Sequence, residues 1–514
     1  MEEELLPANN NKNDRQFMLL KTKSKYCCCG PINLFAFGGF ACSAIHVTYL
    51  ALFGIAIINI SSEYHLTNGQ KNLILGSFSM GYALGQIPCG VYVTKYGGYH
   101  GPVFASIFSG IVFIMLPMLV SHLATASSSS SSQISLETGN SIAWAFAISL
   151  FCAGFVNALY NPSFHVLIAK NVPHKYHNMI HNFIYSGQQF GAIFATIGMD
   201  FLISACGWKL SLTIVGIAAF SIGTLWWFIV DKEYFGNNDN NSNQTTNINN
   251  TTMNNNDMMI DFINDSEDNN EQDRNLLNNR KITNGFNNSN SNNDNNNSYD
   301  RFSMKHWRPV LTSLSFWGMC VNHFGSTYSF YFIINYVPTY LKSIHNIDYK
   351  ELGFISALPR TLSLLIIIVS ARIAAYIINN KYLTKTNVRK IFQSIGLFPC
   401  AIMFLFLCHF QSTTLIILFI ILASGIGGFC YLGFHINSID LAPLPEMAGL
   451  MFCISNTIGT FSGVVVSIVN DTVFSNNPNA DANDNWITTW NIAAYIQIFV
   501  GIIFILFASG EKIV

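Results

Sequence analysis

Within apolar stretches long enough to cross a bilayer, this sequence keeps a short set of ionisable side chains: His46, His165, His181, Asp200, His323, Arg360, His435 and Asp440. Such groups are costly in hydrocarbon and mark functional positions by default. Arg360 is the sharpest case. It lies about ten residues into its stretch, and at about 1.5 Å per residue that is about 15 Å deep, near the midplane. A guanidinium stays charged at physiological pH, so it must meet an anionic solute, a water-filled cavity or an internal partner such as Asp440. Pro359 frees a carbonyl and bends the helix, which suits each case.

His46 and His323 sit at mid-depth in the first and seventh stretches. Imidazole titrates near physiological pH and can carry a proton, and His165 and His435 extend that set. Asn157, Asn161 and His165 recur every four residues, so they share one helix face. A lipid-facing amide stripe would be expensive; this face lines a cavity or bonds a neighbouring helix. Tyr82, Gln86 and Tyr331 are uncharged candidates for orienting a solute. Asp440, with Pro443 close behind it, and Lys95, after the second stretch, are candidates for fastening a gate. This gives a substrate set of Arg360, His46, His323, Tyr82, Gln86, Tyr331, Asn157 and Asn161. The proton-coupling set is His46, His165, His323 and His435, and the gating set is Asp440, Lys95 and Pro359.

The elements that must hold these residues are membrane helices. The chain has 514 residues, half of them apolar and a tenth charged, against roughly a quarter charged in soluble domains. A span needs about 20 mainly apolar residues. Stretches meeting this run over 32–58, 72–94, 101–121, 143–169, 179–203, 208–231, 308–336, 350–379, 389–409, 413–440, 447–470 and 486–509. Residues 1–30 read as a cytosolic tail, 31–232 as one six-helix half, 306–510 as a second half and 511–514 as a short cytosolic end. The Asn-rich segment 233–305 cannot bury enough apolar surface to fold and reads as a cytosolic linker. With the N-terminus inside, about twenty Lys and Arg fall on cytosolic segments and about four (Lys71, Lys209, Lys342, Lys350) on the other side, which places both termini in the cytosol.

Several function classes are disfavoured. Net charge is −1 with no basic stripe, against a nucleic-acid partner. No GxxxxGK[ST], GxSxG or HExxH occurs, against ATP-driven pumping and against these hydrolases. Most of the twelve Cys lie in apolar runs with no CxxC pairs at metal spacing. The expectation is therefore no enzyme, no resident metal and no cofactor, with H⁺ or Na⁺ as coupling ion and a monomer as the working unit.

The second stretch carries FxxGYxxxQIPxG (Phe78, Gly81, Tyr82, Gln86, Ile87, Pro88, Gly90), followed by a loop reaching Gly98. This resembles the anion:cation symporter family of the major facilitator superfamily, which includes sodium/phosphate cotransporters, sialin and vesicular glutamate transporters. Matching stretches continue along the chain: NPSFH (Asn161–His165), SGQQFG (Ser186–Gly191), Gly207-Trp208, FYFIINYVPTYL (Phe330–Leu341), GFISALP (Gly353–Pro359), TNVRKIFQSIG (Thr386–Gly396), GFHINSIDLAP (Gly433–Pro443), ISNTIGT (Ile454–Thr460) and ASGE (Ala508–Glu511). The resemblance implies twelve helices in two halves and a site near the midplane between them. It also implies a small organic anion or inorganic phosphate as solute.

The departures from the family pattern are specific. His46 and Ser326 stand where members carry Arg, and Leu150 and Asn157 where many keep Arg and Glu. YHNM (Tyr176–Met179) replaces a basic run, and Ala375 replaces an acidic residue. These losses keep two alternatives open: a transporter of a neutral or cationic solute or drug, and a non-transporting nutrient sensor on the same fold. The sequence leaves plasma membrane and endosomal or vacuolar membrane equally open.

Overall fold

The computed structural model describes residues 30–127, 136–230, 235, 301–345, 347, 349–407, 409–410, 412–476 and 482–514. Residues 1–29 of the N-terminal tail and, of the Asn-rich linker, residues 233–234 and 236–300 lie outside the described residues. Contacts divide the chain into two compact units. Ala36–Asn238 with Asn295–Val514 forms the larger and holds every feature discussed below; of Met1–Phe35 with Asp239–Asp294, only residues 30–35 are described.

The described secondary structure is helical: α1 (Pro31–Tyr64), α2 (Asn68–Tyr96), α3 (His100–Ser127), α4 (Leu136–Asn157), α5 (Tyr160–Asn171), α6 (His177–Ile193), α7 (Met199–Ile229), α8 (Met304–Thr312), α9 (Leu314–His345), α10 (Tyr349–Asn379), α11 (Lys385–Leu407), α12 (Thr413–Ile426), α13 (Phe434–Leu441), α14 (Met447–Asn476) and α15 (Ala482–Phe507). Nine spans among the described residues are long and apolar enough to cross a membrane. Three helices carrying candidate site residues, α2, α6 and α9, fall outside that group. The chain is an all-α multi-pass membrane protein.

Two expected spans are each split. The fourth breaks between α4 and α5, at Ala158-Leu159. Pro162 has no N–H to return to the carbonyl of Ala158, and the local bonds shorten to Leu159 N on Val156 O at 3.1 Å. The tenth breaks at Gly433 after a 3₁₀ turn over Gly427–Leu432. There Gln393 Oε1 accepts the Phe434 amide N–H at 3.1 Å, so a side chain on α11 satisfies a donor that the break leaves free. The fifth span relaxes into a π turn over Phe194–Gly198. The fifth and sixth spans meet at Gly207, whose φ of 77° only glycine adopts without cost.

Core residues gather in two large clusters. One includes Tyr49, Phe53, Phe113, Phe146, Leu150 and Trp208; the other includes Tyr328, Phe332, Phe404, Trp486 and Trp490. Helix α2 packs on α4, α3 on α7, α9 on α14 and α15, and α11 on α15. The approach of α2 to α4 is close enough that a methyl on Gly81 would lie 2.0 Å from the Phe151 carbonyl oxygen, which is the role of small residues at membrane-helix contacts. Between the two sequence halves, α10 packs on α6, and α14 packs on α2 and α5.

Candidate functional site

The polar residues converge where α1, α2, α4, α5 and α6 meet α9, α10, the 3₁₀ turn Gly427–Leu432, α13 and α14. On the N-terminal side, Asn157 is fully buried. Its Nδ2 donates to Ser109 Oγ at 2.6 Å and to the Ala153 carbonyl at 2.7 Å. That turns Oδ1 toward His46 Nδ1 at 3.2 Å, so His46 donates from Nδ1. The His46 ring lies 5.2 Å from Tyr82 and 5.4 Å from Tyr160. Asn157 therefore bonds neighbouring helices and positions His46.

Asn161 Nδ2 donates to the Tyr82 hydroxyl at 2.8 Å, and Asn456 on α14 donates to the same hydroxyl at 3.2 Å. Tyr82 is thus a junction between the sequence halves. Gln86, one turn further along α2, is fully buried, and its amide has no hydrogen-bond partner among the described residues. A buried amide without a well-formed hydrogen bond is costly.

Asp440, one of the partners the sequence left open for Arg360, pairs with Arg389 and Lys385 instead. Arg360 Nη1 meets Gln189 Oε1 at 3.5 Å, a long contact. Its guanidinium lies 4.6 Å over the Phe330 ring, a cation–π geometry. Among the described residues no carboxylate comes within ion-pair distance of it. Gln189 Nε2 donates to the Tyr431 hydroxyl at 3.2 Å, and that hydroxyl donates to Gln188 Oε1 at 3.4 Å. Arg360 thus faces amides and rings. Pro359 is inside α10, directly before it. Tyr331 packs against Gly463, where a methyl would come 3.1 Å from its ring.

Asp440 is paired twice, with Arg389 Nε at 2.7 Å and Lys385 Nζ at 3.3 Å. Arg389 also donates to the Leu432 carbonyl at 3.1 Å and is 1% exposed. The pair lies beside a cleft of about 220 Å³ lined by His174, His177, Lys385, Asp440, Glu511 and Lys512. Burial first, and then Lys385 and Lys512, hold the His174 imidazole below its usual value. Lys95 is apart from this group: its ammonium lies 5.1 Å over the Tyr96 ring. The carbonyls of Thr94 and Lys95 instead accept from Arg301 Nη1, at 3.4 and 3.3 Å.

The remaining histidines meet across the chain. His165 Nδ1 contacts Ser438 Oγ at 2.8 Å, and His181 Nε2 faces His435 Nδ1 at 3.1 Å. His323 Nδ1 contacts Ser455 Oγ at 2.8 Å, with its ring 6.3 Å from His435. The sequence reading assigned no role to His181, Gln188, Gln189, Tyr431, Asn456 or Arg389. Gln188, Gln189 and Arg389 lie inside SGQQFG and TNVRKIFQSIG, which marked them without showing what they face. A cleft of about 860 Å³ lies elsewhere, lined by residues such as Phe104, Phe108, Phe155 and Trp227. It holds no charged side chain and none of these candidates.

A multi-helix membrane protein with broken spans and a polar cluster between its sequence halves is the architecture of a solute transporter. The family model of the Major Facilitator Superfamily matches residues 39–467, so the chain belongs to that superfamily. Similar curated proteins include human sialin, 35% identical over 207 residues, which are 40% of this chain and 40% of sialin. Rice (Oryza sativa subsp. japonica) probable anion transporter 6 is 30% identical over 211 residues, 40% of this chain and 49% of that protein. Zebrafish (Danio rerio) vesicular glutamate transporter 2.2 is 31% identical over 207 residues, 40% of this chain and 34% of that protein. The chain thus spans between about a third and a half of the length of these relatives. Among solved structures, a proton:xylose symporter bound to 6-bromo-6-deoxy-D-glucose superposes with a TM-score of 0.67 at 12% identity, covering 94% of this chain and 97% of that one. That likeness shows the fold.

Proposed function

We propose that the chain is a secondary transporter, not an enzyme, that moves a small organic anion or inorganic phosphate by alternating access, coupled to H⁺ or Na⁺. One observation carries the reading. Arg360 is a permanent cation inside a membrane helix, set against an amide and an aromatic ring, with no carboxylate in ion-pair reach among the described residues. A guanidinium placed so is a ready partner for a carboxylate or phosphate. The names of the similar proteins, an anion transporter and glutamate transporters among them, support the same class.

In this reading residues 31–232 and 306–510 are the halves that rock about the site, with both termini cytosolic and the monomer as the working unit. Tyr82 and Gln189 bridge the halves through neutral hydrogen bonds, which break and reform at little cost. Gln86, Asn161 and Tyr331 orient the solute, and His46, His165, His323 and His435 carry protons. The Asp440–Arg389–Lys385 group fastens the cytosolic gate.

The test is uptake into proteoliposomes of the full chain. A panel of small carboxylates and inorganic phosphate would be offered under imposed pH or Na⁺ gradients. Arg360→Ala should lower uptake of the accepted anion by about a hundredfold, while the protein stays monodisperse in detergent. Undiminished anion uptake by R360A would sink the assignment. A second reading, a neutral or cationic solute, is favoured by the amides and rings that line the site. Uptake confined to such solutes would establish it.

A further inference from the structure

Three histidines from three helices, α5, α6 and α13, converge on one point. One ligand nitrogen from each of His165, His181 and His435 lies within 4.8 Å of the other two. His165 and His181 are fully buried and His435 is nearly so. On His181 and His165 the second ring nitrogen is held as in metal-binding histidines. Asn182 Nδ2 donates to the Ile367 carbonyl at 3.2 Å, which aims its Oδ1 at His181 Nδ1, 3.0 Å away. His181 Nδ1 therefore carries the hydrogen, and Nε2 presents a lone pair to the cluster. Ser438 occupies His165 Nδ1 at 2.8 Å. That leaves His165 Nε2, which is buried with no hydrogen-bond partner among the described residues. A buried imidazole nitrogen left empty is costly, and the His165 ring lies 5.4 Å from that of His181 and 5.6 Å from that of His435.

We propose that His165 Nε2, His181 Nε2 and His435 Nδ1 form a binding site for a zinc-class divalent metal ion, with the fourth position open to water or an anion. The spacing suits it. Nitrogens at about 2.0–2.1 Å from a tetrahedral Zn²⁺ lie about 3.4 Å apart, and His181 and His435 already stand at 3.1 Å. Neutral imidazoles are the ligands such ions take. Binding requires His435 Nδ1 to give up the hydrogen it shares with His181 Nε2; that proton moves to His435 Nε2, which leaves a neutral imidazole with a lone pair on Nδ1. The ligands come from sequence positions up to 270 residues apart, so a bound ion ties α5 and α6 to α13. The site stands on side-chain geometry and needs no solute; while the ion is bound, His165 and His435 carry no coupling proton and that role falls to His46 and His323.

Full-length protein, purified in detergent and stripped with chelator, would be titrated with ZnCl₂. One ion per chain is expected, and His165→Gln and His435→Gln should each weaken binding at least about tenfold. His122→Gln, at an exposed position, should leave binding unchanged. Wild-type protein loaded with Co²⁺ should show the intense visible bands of a tetrahedral ion, lost on adding Zn²⁺, a readout that needs no variant to fold. The proposal is overturned if wild type binds Zn²⁺ no tighter than a protein carrying both His165→Gln and His435→Gln. It is also overturned if H122Q removes the binding, or if the cobalt spectrum is that of a six-coordinate surface ion.

Discussion

The fourth and tenth spans break at similar depth in their halves, yet by different means and with different electrostatics. The α4–α5 break follows from Pro162, and the helix face around it is neutral: Asn157, Asn161 and His165, all engaged with protein. The α12–α13 break follows from Gly433, and its far end carries Asp440 locked to Arg389 and Lys385. The matching N-terminal region carries His174, Lys175 and His177, and an ion pair there, Lys170 with Glu446 at 3.3 Å, is partly exposed to solvent. Buried charge therefore sits on one side of the site. A neutral network separates at lower cost than an ion pair, because no charge is left behind in a poorly solvated place. The contrast teaches that the departures from the family pattern are concentrated in the N-terminal half, while the C-terminal half keeps a buried ionic fastening.

Substitutions can break or sharpen this contrast. Asp440→Asn leaves Arg389 buried without its counter-charge and should cost about 3–5 kcal/mol, read as a large fall in the thermal midpoint of the detergent-solubilised full chain. An unchanged midpoint would mean that the pair is idle. Gly433→Ala should cost about 1–3 kcal/mol, since the added methyl would lie 2.0 Å from Gln393 Oε1; a wild-type midpoint would show that the break does not need glycine. His46→Gln removes one hydrogen bond to Asn157 and should cost about 1 kcal/mol. If uptake is driven by a proton gradient, the same variant should flatten its dependence on pH; an unaltered profile would remove His46 from the proton path. Pro162→Ala should change stability by no more than about 1 kcal/mol. If it proved as damaging as Gly433→Ala, the two breaks would be equivalent and the contrast would fail.

Particular residues show where sequence reasoning stopped. Arg360 announced itself, because a charge deep in an apolar run is rare. Its surroundings did not: Asp440 was the nearest plausible counter-charge in composition, but α11 brings Arg389 and Lys385 to that carboxylate first. Arg389 escaped notice because it lies at the end of its span, where a cation reads as an interfacial anchor. The helix 4 stripe was legible as a face, while its role was settled only by Ser109 and His46 arriving from other helices. The breaks at Leu159 and Gly433 were hidden because each flank is apolar enough to read as one continuous span.

The sequence by itself determined that this is a multi-pass helical membrane protein, since backbone groups in lipid must bond within each helix and apolar length is written locally. It also determined which residues are too costly to be there without a reason. Only the tertiary structure decided who meets whom. His165, His181 and His435 are separated by 16 and 254 positions, and no local pattern encodes their meeting. It arises because α5, α6 and α13 pack around one point, and partner choice among buried polar groups is set by that packing.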